Sequence, residues 1–224
     1  MHFLDRTKLP APACLELFDP QQDSWDCKNF VQCKAEIRCA LSRLQADRCA
    51  YCESPLYGHD GHIEHFRRKH PDHAPELTFD WSNLFLSCDS WRNCGHYKDR
   101  PKAPSYRSKD LVKPDVDDPE AFFFFHSSGE VRVRGGIAPS AQARAEETIR
   151  VFGLNDPALK DLRRKAVARY RHGQSIIDDP GSLTPAEVDH FIDDELRATE
   201  TIPFRTAVHH FLMTRPFAKA SSAP

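Results

Sequence analysis

The sequence predicts an α+β fold that is mostly helical, carrying a cysteine-stapled insert and a small β-hairpin. Three observations point there. Apolar residues recur at helical spacing near both ends of the chain. Two cysteine pairs, Cys49/Cys52 and Cys88/Cys94, enclose a histidine- and acid-rich stretch. The run AFFFFHSSGEVRVRGG places two apolar segments around a polar turn, which is a hairpin signal. At 224 residues and 40% hydrophobic content the chain is long enough to bury a core. A net charge of −2 gives no global bias toward nucleic acid, but the charge is uneven. FRRKH, WRNCGHYKDRPK and YRSK make a cationic middle between acidic stretches at 110–120 and 178–195.

Residues 1–48 are expected to comprise an extended, proline-bearing surface segment over 1–20 and then a helix. Ser24 is a candidate N-cap for that helix, which runs to about Gln45 with Phe30, Cys33, Ile37, Leu41 and Leu44 on one face. Cys27, Cys33 and Cys39 lie six apart in it, so each is turned by roughly 240° from the last and they cannot share one ion; packing is their expected role. Residues 49–100 hold the chemistry. Residues 101–139 read as a connector followed by the hairpin, whose phenylalanines alternate between faces and are core rather than a stacking platform. Residues 140–217 form a helical region: SAQARAEETIRVFGL, then a helix capped by Asp156 and stopped by Gly173, then one capped by Thr184 with Pro185 in its first turn, then PFRTAVHHFLMT. The tail at 218–224 is expected to be disordered.

The start of the chain lacks the pattern of a signal peptide and no long apolar run is present, so the expectation is a cytoplasmic protein with no membrane contact. In a reducing compartment the eight cysteines then read as thiols or ligands, not disulfides. Cys49, Cys52, Cys88 and Cys94 would supply four thiolates to a tetrahedral structural Zn²⁺ with no position left for water. Inside that clamp come GHIEHFRRK, TFDWSNLFLSC and CGHYKD, an acid beside a histidine, then an asparagine, then a histidine just past the last cysteine.

This is the order of a His-Asn-His nuclease site. Phosphodiester hydrolysis needs a base for water and a divalent cation at the phosphate. His65 would be the base, and Glu64 and His96 would hold Mg²⁺ or Mn²⁺. Asn83 would brace the loop that aims His65, and Arg67, Arg68, Lys69, Arg92 and Lys98 would face phosphate. His62 shares a strand face with Glu64 and could assist the metal.

Cys49 to Lys98 resembles the ββα-metal finger of HNH endonucleases. With C-A-Y-C-E, H-I-E-H-F-R-x-K and C-G-H-Y-K-D, and with EETIRVFGLNDPALKDLRRKA and FRTAVHHFL further on, the chain is similar to the HNH subunit of Septu and retron-associated anti-phage systems, the PtuB-like group. The resemblance implies a zinc-stapled finger inserted in a helical scaffold, nuclease activity, and an ABC-type or SMC-like ATPase partner. Two departures stand out: Gly95 separates Cys94 from His96, and Arg68 occupies a position where the group tends to have proline. DNA ranks first as substrate by the habit of HNH fingers. The alternatives are a tRNA-cleaving ribonuclease, and an inactive zinc-finger module that only binds nucleic acid; against the latter, Glu64, His65, Asn83 and His96 are all present.

Overall fold

Two antiparallel strand pairs sit within a helical frame in the structure, a computed structural model that describes residues 1–58, 60–70, 72–173 and 184–214. The tail expected at 218–224 and His59 lie outside the described residues. Strand β1 (His62–His65) pairs with β2 (Leu84–Ser87) in the register His62↔Ser87, Ile63↔Leu86, Glu64↔Phe85 and His65↔Leu84. Every residue of β2 is buried. Its LFLS run therefore shows no alternation, because both of its faces are covered. Helix α2 (Cys94–Asp99) follows and lies across β1.

Helix α1 (Val31–Gln45) buries Cys33, Ile37 and Leu41 and ends on a left-handed Ala46 (φ 49°). Its last residue completes the sheet. Gln45 Nε2 donates to Leu86 O (3.0 Å) and Oε1 accepts from Leu86 N (2.8 Å), so a buried side-chain amide fills the second edge of β2. The helix starts at Val31 rather than after Ser24. Ser24 Oγ accepts only from Asp26 N (3.3 Å), Cys27 is extended, and a 3-10 turn spans Lys28–Phe30. The non-helical path puts the Trp25 ring 4.8 Å from Phe30 and in the core, which a continuous helix from Ser24 would not do.

The N-terminal segment is also not an extended surface strap. Met1, Leu4 and Leu15 are buried; the 3-10 turn at Arg6–Lys8 is anchored by Leu4 N on Pro114 O and Arg6 Nη2 on Leu84 O, both at 2.8 Å, and that at Ala13–Leu17 packs on α1. Cys14 on the second turn is disulfide-bonded to Cys33. That corrects the expectation of thiols and ligands alone, and no spacing rule could reveal it, because the two residues meet only when the turn packs on the helix. Cys27 is partly buried against the core, and Cys39 is exposed rather than packed. The acidic stretch at 110–120 is partly knit inward: Asp115 pairs with Arg6 (2.5 Å) and Asp117 with Arg144 (2.6 Å).

The expected hairpin is present as β3 (Phe123–Phe125) and β4 (Val131–Val133), with Phe123 and Phe125 buried and Phe124 only partly so. Its turn needs glycine at 129. The backbone there has φ +86°, and a Cβ would stand 1.9 Å from Lys160 O. Gly129→Ala is expected to cost about 2 kcal/mol or more and to lower the melting temperature by roughly 5 °C in thermal unfolding followed by circular dichroism. An unchanged melting curve would refute this packing.

Helices α3 (Pro139–Val151), α4 (Pro157–Gly173), α5 (Pro185–Ala198) and α6 (Arg205–Met213) complete the frame. Asp156 Oδ1 accepts from Ala158 N (3.0 Å) at the start of α4, and Thr184 with Glu187 forms a capping box on α5. The frame is bolted to the cysteine turn. Phe204 N donates to Glu53 O and Thr206 N to Glu53 Oε2, both at 2.9 Å, so α6 begins on the residue after Cys52. No helix among the described residues is long and apolar enough to cross a membrane.

Candidate active site

Four sulfurs converge. Cys49 and Cys52 lie on the turn after α1, Cys88 follows β2 and Cys94 opens α2, and their Sγ atoms lie within 4.8 Å of one another. Cys52 Sγ and Cys88 Sγ are 3.8 Å apart. A tetrahedral ion held at about 2.3 Å separates its sulfurs by roughly 3.8 Å, so the donor set fits such an ion. Two left-handed residues shape the clamp, Glu53 (φ 63°) and Cys94 (φ 61°). Such backbone costs of order 1 kcal/mol or more at each position, and both are held from outside: Glu53 by α6, Cys94 by its N–H on Phe152 O (2.8 Å). Hydrogen bonding within the quartet lowers the Cys52 thiol and raises that of Cys88, while burial raises Cys94. The quartet is thus a donor set that could hold a cation.

His65, at the end of β1, is buried, with its ring edge-on to Trp25 at 4.5 Å. Its Nε2 is 3.0 Å from Thr78 O. A carbonyl can only accept, so Nε2 carries the proton and Nδ1 is the basic nitrogen. Burial, reinforced by Lys69 and Lys98 and opposed by the Thr78 carbonyl, lowers its pKa to about 4. The ring is therefore neutral at pH 7. Asn83 clamps the segment that follows: Oδ1 accepts from Arg67 N (2.8 Å), and Nδ2 donates to Arg67 O (2.9 Å) and Leu77 O (3.2 Å). All three bonds fix backbone beside His65, and only a neutral amide can both donate and accept in this way.

Glu64 points the other way, into the interior. Lys98 Nζ lies 2.7 Å from Glu64 Oε1, and the Tyr51 hydroxyl donates to Oε2. Lys98 also reaches Asp99 (2.8 Å) and His65 O (3.1 Å), and its side chain is fully buried. Burial opposes the Lys98 ammonium, yet Glu64 and Asp99 hold its pKa above the usual lysine range; burial pushes the Glu64 carboxyl upward despite Lys98. Lys98→Ala would strand a buried carboxylate. The expected loss is about 3–5 kcal/mol and a melting temperature lower by roughly 10 °C, largely restored by adding Glu64→Gln. A Lys98→Ala protein that melts with the parent would show that the pair does not hold the core.

His96 lines a cavity of about 540 Å³ together with His62, Glu64, His65, Arg68, Lys69 and Asp99. Its ring is stacked between His62 (3.9 Å) and the exposed Trp91 (4.5 Å). Asp89 Oδ1 is 3.2 Å from His62 Nδ1 and 3.6 Å from His96 Nε2. Gly95 makes this possible. A Cβ there would stand 2.6 Å from Glu64 Cγ and 2.9 Å from His62 Nε2, so only glycine lets α2 approach β1 this closely.

No family model matches the chain. Among curated proteins it is 28% identical over 149 residues to a candidate HNH endonuclease of retron Vc95 from Vibrio cholerae serotype O1 biovar El Tor. It is 26% identical over 157 residues to the Septu protein PtuB of Bacillus thuringiensis, and 26% over 160 residues to a candidate HNH endonuclease of retron Ec83 from Escherichia coli. These alignments take in 63%, 69% and 55% of this chain and 68%, 55% and 61% of the respective relatives. The chain resembles the PtuB-like HNH proteins.

Within this PtuB-like chain the five expected phosphate-facing cations are not equivalent. Arg68 and Lys69 line the cavity, although Arg68 is also paired with Asp99 (2.7 Å). Arg67 is half exposed and only loosely paired with Glu76 (3.8 Å). Arg92 is tied to Asp156 (2.9 Å) and does not line the cavity. Lys98 is buried, so in this structure its charge serves Glu64 and not a surface. Sequence reasoning missed Asp89. Its place directly after Cys88 was the available signal, because a clamp joining Cys88 to Cys94 brings residue 89 beside the first turn of α2.

Proposed function

We propose that the chain is a metal-dependent HNH endonuclease of anti-phage defence, built on a zinc-stapled ββα-metal finger, with DNA as its favoured substrate and an ABC/SMC-like ATPase as its partner. The observation that carries the catalytic reading is His65, a buried neutral imidazole whose Nε2–H is spent on Thr78 O, leaving Nδ1 to take a proton, on the wall of a cavity that Arg68 and Lys69 also line. Asn83 holds the adjoining backbone rigid, so the base keeps its aim. Arg68, Lys69 and the half-exposed Arg67 supply positive charge for a phosphate backbone. Trp91, exposed and stacked by one face on the cavity-lining His96, offers its other face for base stacking. A divalent ion, when bound, would stabilise charge on the phosphate and on the leaving oxygen. The order β1–β2–α2 with four cysteines at its base supports the finger, and the names of the relatives support the defence context.

The test is to incubate the purified chain with Mn²⁺ or Mg²⁺ and plasmid, linear DNA or total RNA, with and without the ATPase. Cutting of DNA supports the reading. Cutting of RNA alone replaces the substrate, and no cutting under any condition defeats the enzyme reading in favour of a binding module.

A further inference from the structure

We infer that a second cavity, apart from the one that holds His65, seats the phosphodiester backbone of the same nucleic acid beyond the point of cutting. This deepens the nuclease reading and rests on it only for where the strand comes from. The cavity measures about 870 Å³, against about 540 Å³ beside His65, and lies between the loop after β1 and the connector that follows α2. Arg67 and Arg68 line it from the loop, and Tyr106, Arg107, Lys109 and Lys113 from the connector. Arg67 does not line the cavity beside His65, whereas Arg68 lines both. The two spaces therefore meet at one guanidinium.

Both arginines are held for the task. Asn83 fixes the N–H of Arg67 (2.8 Å) and its carbonyl (2.9 Å), so the clamp that steadies the backbone beside His65 also sets where the Arg67 side chain starts. Arg68 donates from Nε to Asp99 (2.7 Å) and from Nη2 to Lys98 O (2.6 Å), and its Cζ stands 4.9 Å from the centre of the Tyr106 ring. These bonds fix the plane of the fork and leave Nη1 outside both of them, a geometry suited to a phosphate oxygen. Further along, Lys109 is exposed and makes no ion pair among the described residues. Arg67, 47% exposed, keeps only a 3.8 Å contact with Glu76, and Arg107, 72% exposed, holds Asp110 through Nε (2.6 Å).

The plain alternative is a surface of ion pairs that satisfy one another. It accounts for part of the lining: Lys113 is matched by Asp115 (3.1 Å) and Arg144 by Asp117 (2.6 Å), and these hold the walls. Asp72, the other acid of the lining, lies 3.2 Å from His70. The alternative leaves Lys109 unexplained. It also rests on exposed pairs at Arg67 and Arg107, which contribute little to a fold and give way readily to a phosphate. Continuity with the cavity of His65 through Arg68 favours a nucleic-acid strand over an acidic peptide.

The test is binding of a fluorescent DNA duplex, and in parallel an RNA strand, to the zinc-loaded chain across a salt series, followed by anisotropy without added divalent ion. Arg107→Gln with Lys109→Gln is expected to weaken duplex binding about tenfold and to lower the slope of log affinity against log salt by about 2, near 0.9 for each phosphate contact. Both side chains are exposed, so the melting curve should match the parent. Arg164→Gln with Lys165→Gln removes the same charge from exposed positions on α4 outside the cavity, and should leave the slope as it is. Equal losses in the two double variants reduce the effect to net charge and overturn the proposal, as does absence of binding to either nucleic acid. Binding of polyglutamate or ATP that the first variant loses, with nucleic-acid binding unchanged, gives the cavity to another anion and also overturns it. A chain that shows the change in slope but cuts no nucleic acid keeps the second seat and overturns the nuclease reading. A chain that cuts and binds normally with Arg107→Gln and Lys109→Gln overturns the seat and keeps the reading.

Discussion

Removal of the metal by a strong chelator, or Cys94→Ser, is expected to unfold the chain rather than merely inactivate it. The clamp joins the end of α1, the end of β2 and the start of α2, and Glu53 beside it seats α6. Structural zinc sites contribute about 10–16 kcal/mol, comparable with the whole stability of a domain at about 5–15 kcal/mol. Elemental analysis should therefore find close to one zinc per chain, and far-ultraviolet circular dichroism should collapse on chelation. Cys39→Ser is the control: that thiol is exposed and outside the clamp, so its effect should stay within about 0.5 kcal/mol. A chain that keeps its spectrum and melting temperature with no metal bound would refute the clamp.

His65→Ala is expected to lower the cleavage rate by about 10²- to 10⁴-fold, the usual worth of a positioned general base. Because the ring packs on Trp25, His65→Gln serves as a second variant that preserves bulk and a donor for Thr78 O while lacking a basic nitrogen. Full activity in both would remove His65 from the mechanism. With its pKa lowered to about 4 by burial, the base is already neutral at pH 6, so no rate loss centred near pH 6.5 should arise from this residue. The same shift predicts acid sensitivity of the fold. The folded-state pKa lies below the unfolded value of about 6.5, so the unfolded chain binds more protons between the two. Stability from His65 is thus complete above pH 6.5 and falls away toward pH 4, by about 3 kcal/mol in all. Denaturant midpoints measured from pH 7 to pH 4 should drop, and drop less in His65→Gln.

Much of the architecture was legible because it rests on local chemistry. The hairpin at 123–133 shows as two apolar segments around a polar, glycine-bearing turn, and the caps at Asp156 and Thr184 act within a few residues. The convergence of Cys49, Cys52, Cys88 and Cys94 follows from spacing, since four such ligands pair in few ways. What was not legible depends on distant packing. Trp25 leaves the helical path to reach the core, Cys14 meets Cys33 through a fold-back of the N-terminal segment, and Lys98 turns inward to Glu64.

The sequence by itself determined the inventory of this site: a thiol quartet, a histidine next to an acid, an asparagine between the cysteine pairs, and basic residues around them. Residue type and order suffice for that, because each group's chemistry is its own. Only the tertiary structure decided which donors share a volume. The approach of α2 to β1 at Gly95 turns Glu64 onto Lys98 and brings His96 to His62 and Asp89. That choice rests on distances of a few tenths of an ångström between elements far apart in the chain, where a missing Cβ at one position sets which side chains can meet.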